Sequence, residues 1–509
     1  MGTAETNKPI DSQSSEDLVQ LKAPFALVIV VILIGGFMSM LDSSIVNVAL
    51  PQMMSTFGVG SEKIGWVLTI YMLVLGVVVP SSGWLGDYFG LKNLYLISLA
   101  IFTIGSACCS LAWDVPSLSV ARGIQALGGG MIMPLTMSMI YKITPREKIG
   151  KTMAGYGMVF VVAPAIGPTV GGYLVEFINW RWIFTINLPI GLIGILLAIL
   201  FIPAMKGEKP GKFDFGGALF SAVSLFSILL VLSEGSGWGW TSLRSILLIY
   251  TSIVFMGLFI WWELKNPEPL LDLRIFKNKN YAFGNIALVL ITLGMYGVLF
   301  YIPIFLQSVR GMGALEAGLL MLPPALVSAV AMPVSGALYD RYGPKVPATV
   351  GVILLAFSTF MFSKIDLSSS ISFIIFWNCI RSIGMGLIMM PAQVAMMSEI
   401  RQQQVGRASA MNNIITRVAG SFGIAVLSVI LTHRLAFHSA VISWSVSSSN
   451  IALGLGKGVP LSELMSQLGT AIYQTAFVRS LNELFIITSI ITLCSLFAVI
   501  MLKKGVLDQ

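Results

Sequence analysis

The chain has 509 residues, 56% of them hydrophobic and 11% charged, with a mean hydropathy of +0.87 and a formal net charge of +8. Soluble domains hold about 45–50% apolar and about 25% charged residues. The composition therefore excludes a water-soluble enzyme or binding module and points to an all-α polytopic membrane protein.

Residues 1–24 are polar and lack the basic start and apolar run of a cleaved signal peptide, which predicts a short cytoplasmic tail. A spanning helix takes about 20 mainly apolar residues. Fourteen such runs follow, at 25–50, 64–83, 94–113, 117–141, 152–175, 182–203, 214–233, 244–263, 282–307, 316–338, 346–363, 371–398, 408–432 and 482–502. Lys and Arg concentrate at the two ends and in the connections after even-numbered spans, among them "YKITPREKIGK" (141–151) and "RIFKNKN" (274–280). The positive-inside tendency puts these connections, both termini included, in the cytoplasm of a multi-pass protein of the cell membrane. The basic balance then faces the inner leaflet and not a nucleic acid. The long connection at 433–481 falls outside, and its conformation stays open.

Two segments recur. "SGWLGDYFGLK" (82–92) after the second span returns as "SGALYDRYGPK" (335–345) after the tenth, and "ARGIQALGGGMIMP" (121–134) in the fourth is echoed by "IRSIGMGLIMMP" (380–391) in the twelfth. Copies eight spans apart keep one orientation. This gives parallel six-helix bundles at 25–203 and 281–502, two inserted helices with their linkers at 204–280, and a tail at 503–509.

Isolated charges in apolar runs are costly and mark candidate sites. Asp42, in "LDSSIVNVALP" (41–51), reads either as an acid at a helix end or held by a structural arginine, or as a titrating group. Neutral when protonated and anionic when not, it can hold a proton or a cation in turn. Arg122, with Gln125 one turn later, reads as a tie for backbone carbonyls or as the partner that modulates such an acid. The "GWLGDYFGLK" turn and its copy place a carboxylate beside basic groups and helix ends, a conformational latch or a plain positive-inside turn. In "GMVFVVAPAIGPTVGGYL" (157–174), Gly167 and Gly171 form a close-packing face, and Pro164 and Pro168 each remove a ladder bond, as suits a hinge or a sealed seam. Glu234 and Glu263 read as interfacial acids, and Arg381 as the structural mirror of Arg122. His433 and His438 begin the outer connection without metal spacing. The cysteines Cys108, Cys109, Cys379 and Cys494 read as packing residues.

These motifs, in this order from about residue 25 to 502, resemble the fourteen-span drug:proton antiporters of the major facilitator superfamily, the multidrug exporters of the EmrB/QacA type. The resemblance implies the major facilitator fold, with two six-helix bundles plus two inserted helices. It implies proton and substrate coupling at Asp42, Arg122 and Gln125, and a cytoplasmic latch at Gly83, Asp87, Gly90 and Lys92, copied at Gly336, Asp340, Arg341, Gly343 and Lys345. It also implies an antiporter hinge at Pro164, Gly167, Pro168, Gly171 and Gly172. The chain departs from the family at Tyr88 and Leu91, where arginines are usual, so the first latch is expected either to be weaker or to use a basic partner from another helix. "WRWIFTINLPIG" (180–191) adds family character. The expected function is alternating-access export of amphipathic drug-like or toxic compounds, cationic or neutral, in exchange for protons. The alternatives are a dedicated exporter of a lipid, siderophore or antibiotic on the same fold, and a receptor or channel. No nucleotide, zinc or nucleophile motif is present, so no enzyme activity, cofactor or metal is expected. The partners expected are small amphipathic substrates, protons and the lipid bilayer, and nothing indicates an accessory protein.

Overall fold

The computed structural model describes residues 23–145, 148–205, 207, 211–401, 404–445 and 461–503. The expected tail up to residue 22, Arg146 and Glu147, and residues 446–460 of the outer connection lie outside the described residues. Among the described residues, fourteen helices are long and apolar enough to cross a membrane: α1 Phe25–Phe57, α2 Lys63–Phe89, α3 Leu91–Ser110, α4 Val115–Ile143, α5 Ile149–Phe177, α6 Trp182–Phe201, α7 Phe215–Trp238, α8 Leu243–Lys265, α9 Lys279–Val309, α10 Leu315–Tyr342, α11 Lys345–Phe362, α12 Ile371–Met397, α13 Val405–Trp444 and α14 Met465–Met501.

Their ends follow local chemistry. α1 continues through Pro51 and stops at Gly58, whose φ of 64° lets its N–H reach the Met54 carbonyl. α4 begins with Asp114 and Ser117 exchanging side-chain-to-backbone hydrogen bonds, which hold the Asp114 carboxyl below its usual range. Gly90 and Gly343, with φ of 80° and 73°, make the sharp turns from α2 to α3 and from α10 to α11.

The repeat is structural. α1 packs on α4, α5 and α6, α3 on α4 and α6, and α2 on α4; in the second bundle α9 packs on α12, α13 and α14, α11 on α12 and α14, and α10 on α12. Close approach depends on small residues. A Cβ at Gly128 of α4 would run into the Ser98 carbonyl and Phe102 N of α3, and one at Gly105 of α3 would meet the Gln125 backbone at 2.5 Å.

The bundles meet along α5 and α10, and α13 touches α2 and α4. The inserted helices form a hairpin whose first arm, α7, packs against both α2 and α13. Leu229 and Leu230 of α7 join Leu73 of α2 in one apolar cluster, with Val418 of α13 against it. Glu234 anchors α7, accepting a 2.8 Å hydrogen bond from Thr69 of α2. Glu263 is not an interfacial acid in the exposed sense; it is 1% exposed and accepts from the Leu271 N–H.

The described parts of the outer connection, 433–445 and 461–481, are helical. α13 runs on to Trp444 and α14 starts by Met465, with Arg434 and His438 of one helix paired to Glu483 of the other at 3.0 and 3.1 Å. The 40 residues of α13 extend about 60 Å at 1.5 Å per residue, twice a hydrocarbon core of about 30 Å. Polar sequence in this stretch hid the helical extensions, because a helix that has left the bilayer needs no apolar run.

Gly128→Ala is expected to destabilise the protein by about 1–3 kcal/mol through overpacking, read as a lower Tm in detergent. Gly257→Ala, where a Cβ meets nothing within 4 Å, should leave Tm unchanged or slightly raised.

Candidate functional site

Asp42 lies near the middle of α1 and is 0% exposed. An acid in that setting must find donors, and it finds them on separate helices. Arg122 Nη1 of α4 donates to Asp42 Oδ2 at 2.6 Å, Gln125 Nε2 to Oδ1 at 2.9 Å, and Asn187 Nδ2 of α6 to Oδ1 at 2.8 Å. Gln125 also accepts from Arg122 Nη1 at 2.6 Å and donates to Ser106 Oγ of α3 at 2.6 Å. The ring of Tyr71 on α2 receives the guanidinium at 3.8 Å from its centroid. Arg122 Nε and Asn187 Oδ1 remain buried without hydrogen bonds.

This network draws on α1, α2, α3, α4 and α6, every helix of the first bundle except α5. The structure brings Asp42, Arg122 and Gln125 together, and the carboxylate is enclosed within its bundle. Asn187, Ser106 and Tyr71 were missed from the sequence. Asn187 left a trace, as the one amide in the apolar run "IFTINLPIG", whereas a serine or a tyrosine in a spanning helix carries no such signal.

The two latch segments occupy equivalent places. Gly83 of α2 faces the first turn of α13, where a Cβ would lie 3.3 Å from Arg407 Cα. Gly336 of α10 faces the first turn of α5 at Gly150, and Asp340 Oδ1 would lie 2.7 Å from a Cβ there. Through Gly83 and Gly336 each segment joins one bundle to a helix start of the other, and at the second the Asp340 carboxylate meets the positive end of the helix dipole. Further contacts close this face: Ser409 Oγ of α13 to the Pro134 carbonyl of α4 at 3.3 Å, and Tyr141 Oη of α4 to the Gln393 carbonyl of α12 at 3.5 Å. Lys92 donates to the Ile199 and Ile202 carbonyls at 2.9 and 2.6 Å, capping the end of α6. Asp87 stands beside Gly207 through its backbone carbonyl. Arg341 lies over the Tyr342 ring at 5.2 Å, and Lys345 opens α11.

In α5 the glycines divide between two faces. Gly167 and Gly171 pack on Ser44 and Ile45 of α1, inside the bundle, whereas Gly172 abuts Leu315 of α10 across the seam. Gly318 of α10 approaches Pro168 and Thr169 in return, and Pro164 and Pro168 both lie within a continuous helix.

The Major Facilitator Superfamily model matches residues 32–424. The chain belongs to the Major Facilitator Superfamily. "Uncharacterized MFS-type transporter YhcA" of Bacillus subtilis (strain 168) is 34% identical over 429 residues, 84% of this chain and 80% of that protein. "Multidrug resistance protein B homolog" of Mycobacterium tuberculosis (strain ATCC 25618 / H37Rv) is 31% identical over 438 residues, again 84% and 80% of the two chains. The fold is shared with the human transporter titled "Crystal structure of the human organic anion transporter MFSD10 (TETRAN)", at a TM-score of 0.60 and 14% identity over 94% of this chain and 100% of that one. The chain is thus a multi-pass Major Facilitator transporter with multidrug efflux relatives.

In this superfamily member the Asp42–Arg122 pair is internally compensated, so breaking it from either side leaves an unpaired buried charge. Asp42→Leu and Arg122→Leu alone should each cost about 3–5 kcal/mol. The double variant should cost clearly less than their sum, as a double-mutant cycle on Tm or denaturant midpoint would show.

Proposed function

We propose that the protein is a proton-coupled exporter in the cell membrane, with both termini cytoplasmic. It expels amphipathic drug-like or toxic compounds by alternating access. The observation that carries this reading is the fully buried Asp42, held by Arg122 within one bundle of a transporter with efflux relatives. The latch face, cytoplasmic in this orientation, is closed by contacts between the bundles.

The ion pair holds only while Asp42 is deprotonated. A proton arriving at a carboxylate oxygen ends the pairing, frees the Arg122 guanidinium and changes how α1 and α4 pack. Return of Arg122 to Asp42 expels the proton. If the two steps occur with the pathway open to opposite sides, proton entry drives the bundle motion that exports substrate. α5 supports that motion: it is locked to α1 through Gly167 and Gly171 and meets α10 at Gly172, so α1 and α5 move as one against the second bundle.

The test is purified protein in proteoliposomes with an imposed pH gradient and a panel of fluorescent drugs. The wild type should move substrate against its gradient. Asp42→Asn should fall to the level of empty liposomes in gradient-driven flux while keeping downhill substrate exchange. Wild-type coupling in Asp42→Asn would remove the assignment.

A further inference from the structure

Among the described residues, charge within the spans does not cancel. Asp42 and Arg122 neutralise each other. Arg381 of α12 donates from Nε to Asn378 Oδ1 at 2.9 Å and has a buried Nη1 without a partner. Arg417 of α13 stands more sharply apart: the ion pairs lie elsewhere, and its Nε is buried with no hydrogen bond.

Its location matters as much as its isolation. The next residue, Val418, packs against the cluster of Leu73 on α2 and Leu229 and Leu230 on α7. One turn on, Gly420 abuts the Tyr296 ring of α9. Two turns back, Ser409 reaches the Pro134 carbonyl of α4. Tyr71 of α2, Tyr296 of α9 and Tyr156 of α5 are titratable neighbours of the guanidinium, and no ion pair among the described residues joins it to a carboxylate. Arg417 therefore sits where the two bundles and α7 converge, and it is only part-buried. Tyr71 links it to the proton site, since the same ring carries the Arg122 guanidinium on its face. The Tyr71 hydroxyl, with Ser39 as its polar neighbour, makes no hydrogen bond of ordinary geometry.

A guanidinium stays charged, and an intramembrane charge without a protein partner is costly. Glu234 is not that partner: no ion pair among the described residues joins it to Arg417, and it accepts from Thr69 on the α2–α7 contact. A ligand entering between the bundles can supply the missing counter-charge. A planar fork of N–H donors suits a carboxylate, which it binds through paired hydrogen bonds. Surrounding tyrosine rings suit an apolar or aromatic body.

We propose that Arg417 receives the acidic group of the transported compound, so that the substrates are amphipathic acids, an apolar or aromatic body bearing one carboxylate. This rests on the export reading and replaces the cationic or neutral substrates expected from the sequence. Tyr71 gives the substrate and proton sites a shared neighbour, so anion binding at Arg417 is sensed where Asp42 and Arg122 pair.

The test is equilibrium binding to the full chain in phosphatidylcholine nanodiscs without any gradient. The probes are radiolabelled 2-naphthaleneacetate, its neutral primary amide, and a naphthylethyl-trimethylammonium of the same size. The wild type is expected to bind the carboxylate at least about tenfold tighter than either analogue. Arg417→Gln should lose that preference while its affinity for the amide stays unchanged, which also shows that it folds. Arg417→Lys should keep part of the preference. Tighter wild-type binding of the ammonium than of the carboxylate would overturn the proposal even if no Arg417 variant folds. Undiminished carboxylate binding by Arg417→Gln would also overturn it, as would loss of that binding when phosphatidylglycerol enters the disc, which assigns Arg417 to a lipid headgroup. Because no gradient is applied, failure of proton-driven flux removes the export reading and leaves the binding result standing; cation flux indifferent to Arg417 does the reverse.

Discussion

The interaction on which the first bundle depends is the buried pairing of Asp42 with Arg122. In a low-dielectric interior neither charge is tolerable alone, and their attraction repays desolvation only when the geometry is good and the remaining lone pairs are met. Gln125 and Asn187 meet them from α4 and α6, and Ser106 fixes both amides from α3. The network thereby ties α1 to α3, α4 and α6 at one point near the middle of α1. A change in the charge of Asp42 is felt by most of the bundle at once, as a proton-driven conformational change requires.

Such a network needs close helices, and glycine supplies them. At Gly105 and Gly128 the backbones of α3 and α4 approach too closely for any side chain, which brings Ser106 within reach of Gln125. The same device divides α5 into an inner face against α1 and an outer face against α10. One helix then serves both as bundle core and as the seam between the bundles. In lipid there is no hydrophobic drive between helices, so such packing carries much of the cohesion.

The inserted hairpin changes the geometry of the second seam. α7 packs against α2 and α13 together, and Arg417 projects from that part of α13. The additional helices are therefore more than a peripheral ornament: α7 walls one side of the region where Arg417 stands.

Much of this was legible in the residues. Fourteen apolar runs, the recurrence of the 82–92 segment at 335–345, and the glycine and proline spacing of α5 determine a two-bundle membrane transporter, because bilayer thickness and backbone satisfaction leave few other arrangements for such a chain. Asp42 and Arg122 stood out for the same reason, as charges where charges are expensive. The sequence offered the meeting of the two only as one reading among others, and it did not reveal that Asn187, Ser106 and Tyr71 enclose them or that the described parts of the outer connection, 433–445 and 461–481, extend as helix. Nor could it distinguish Arg417 from Arg381 or Arg122, since all three read as an arginine in an apolar run. Whether a buried charge is paired depends on which residues from helices far apart in sequence reach it, and only the tertiary structure decides that.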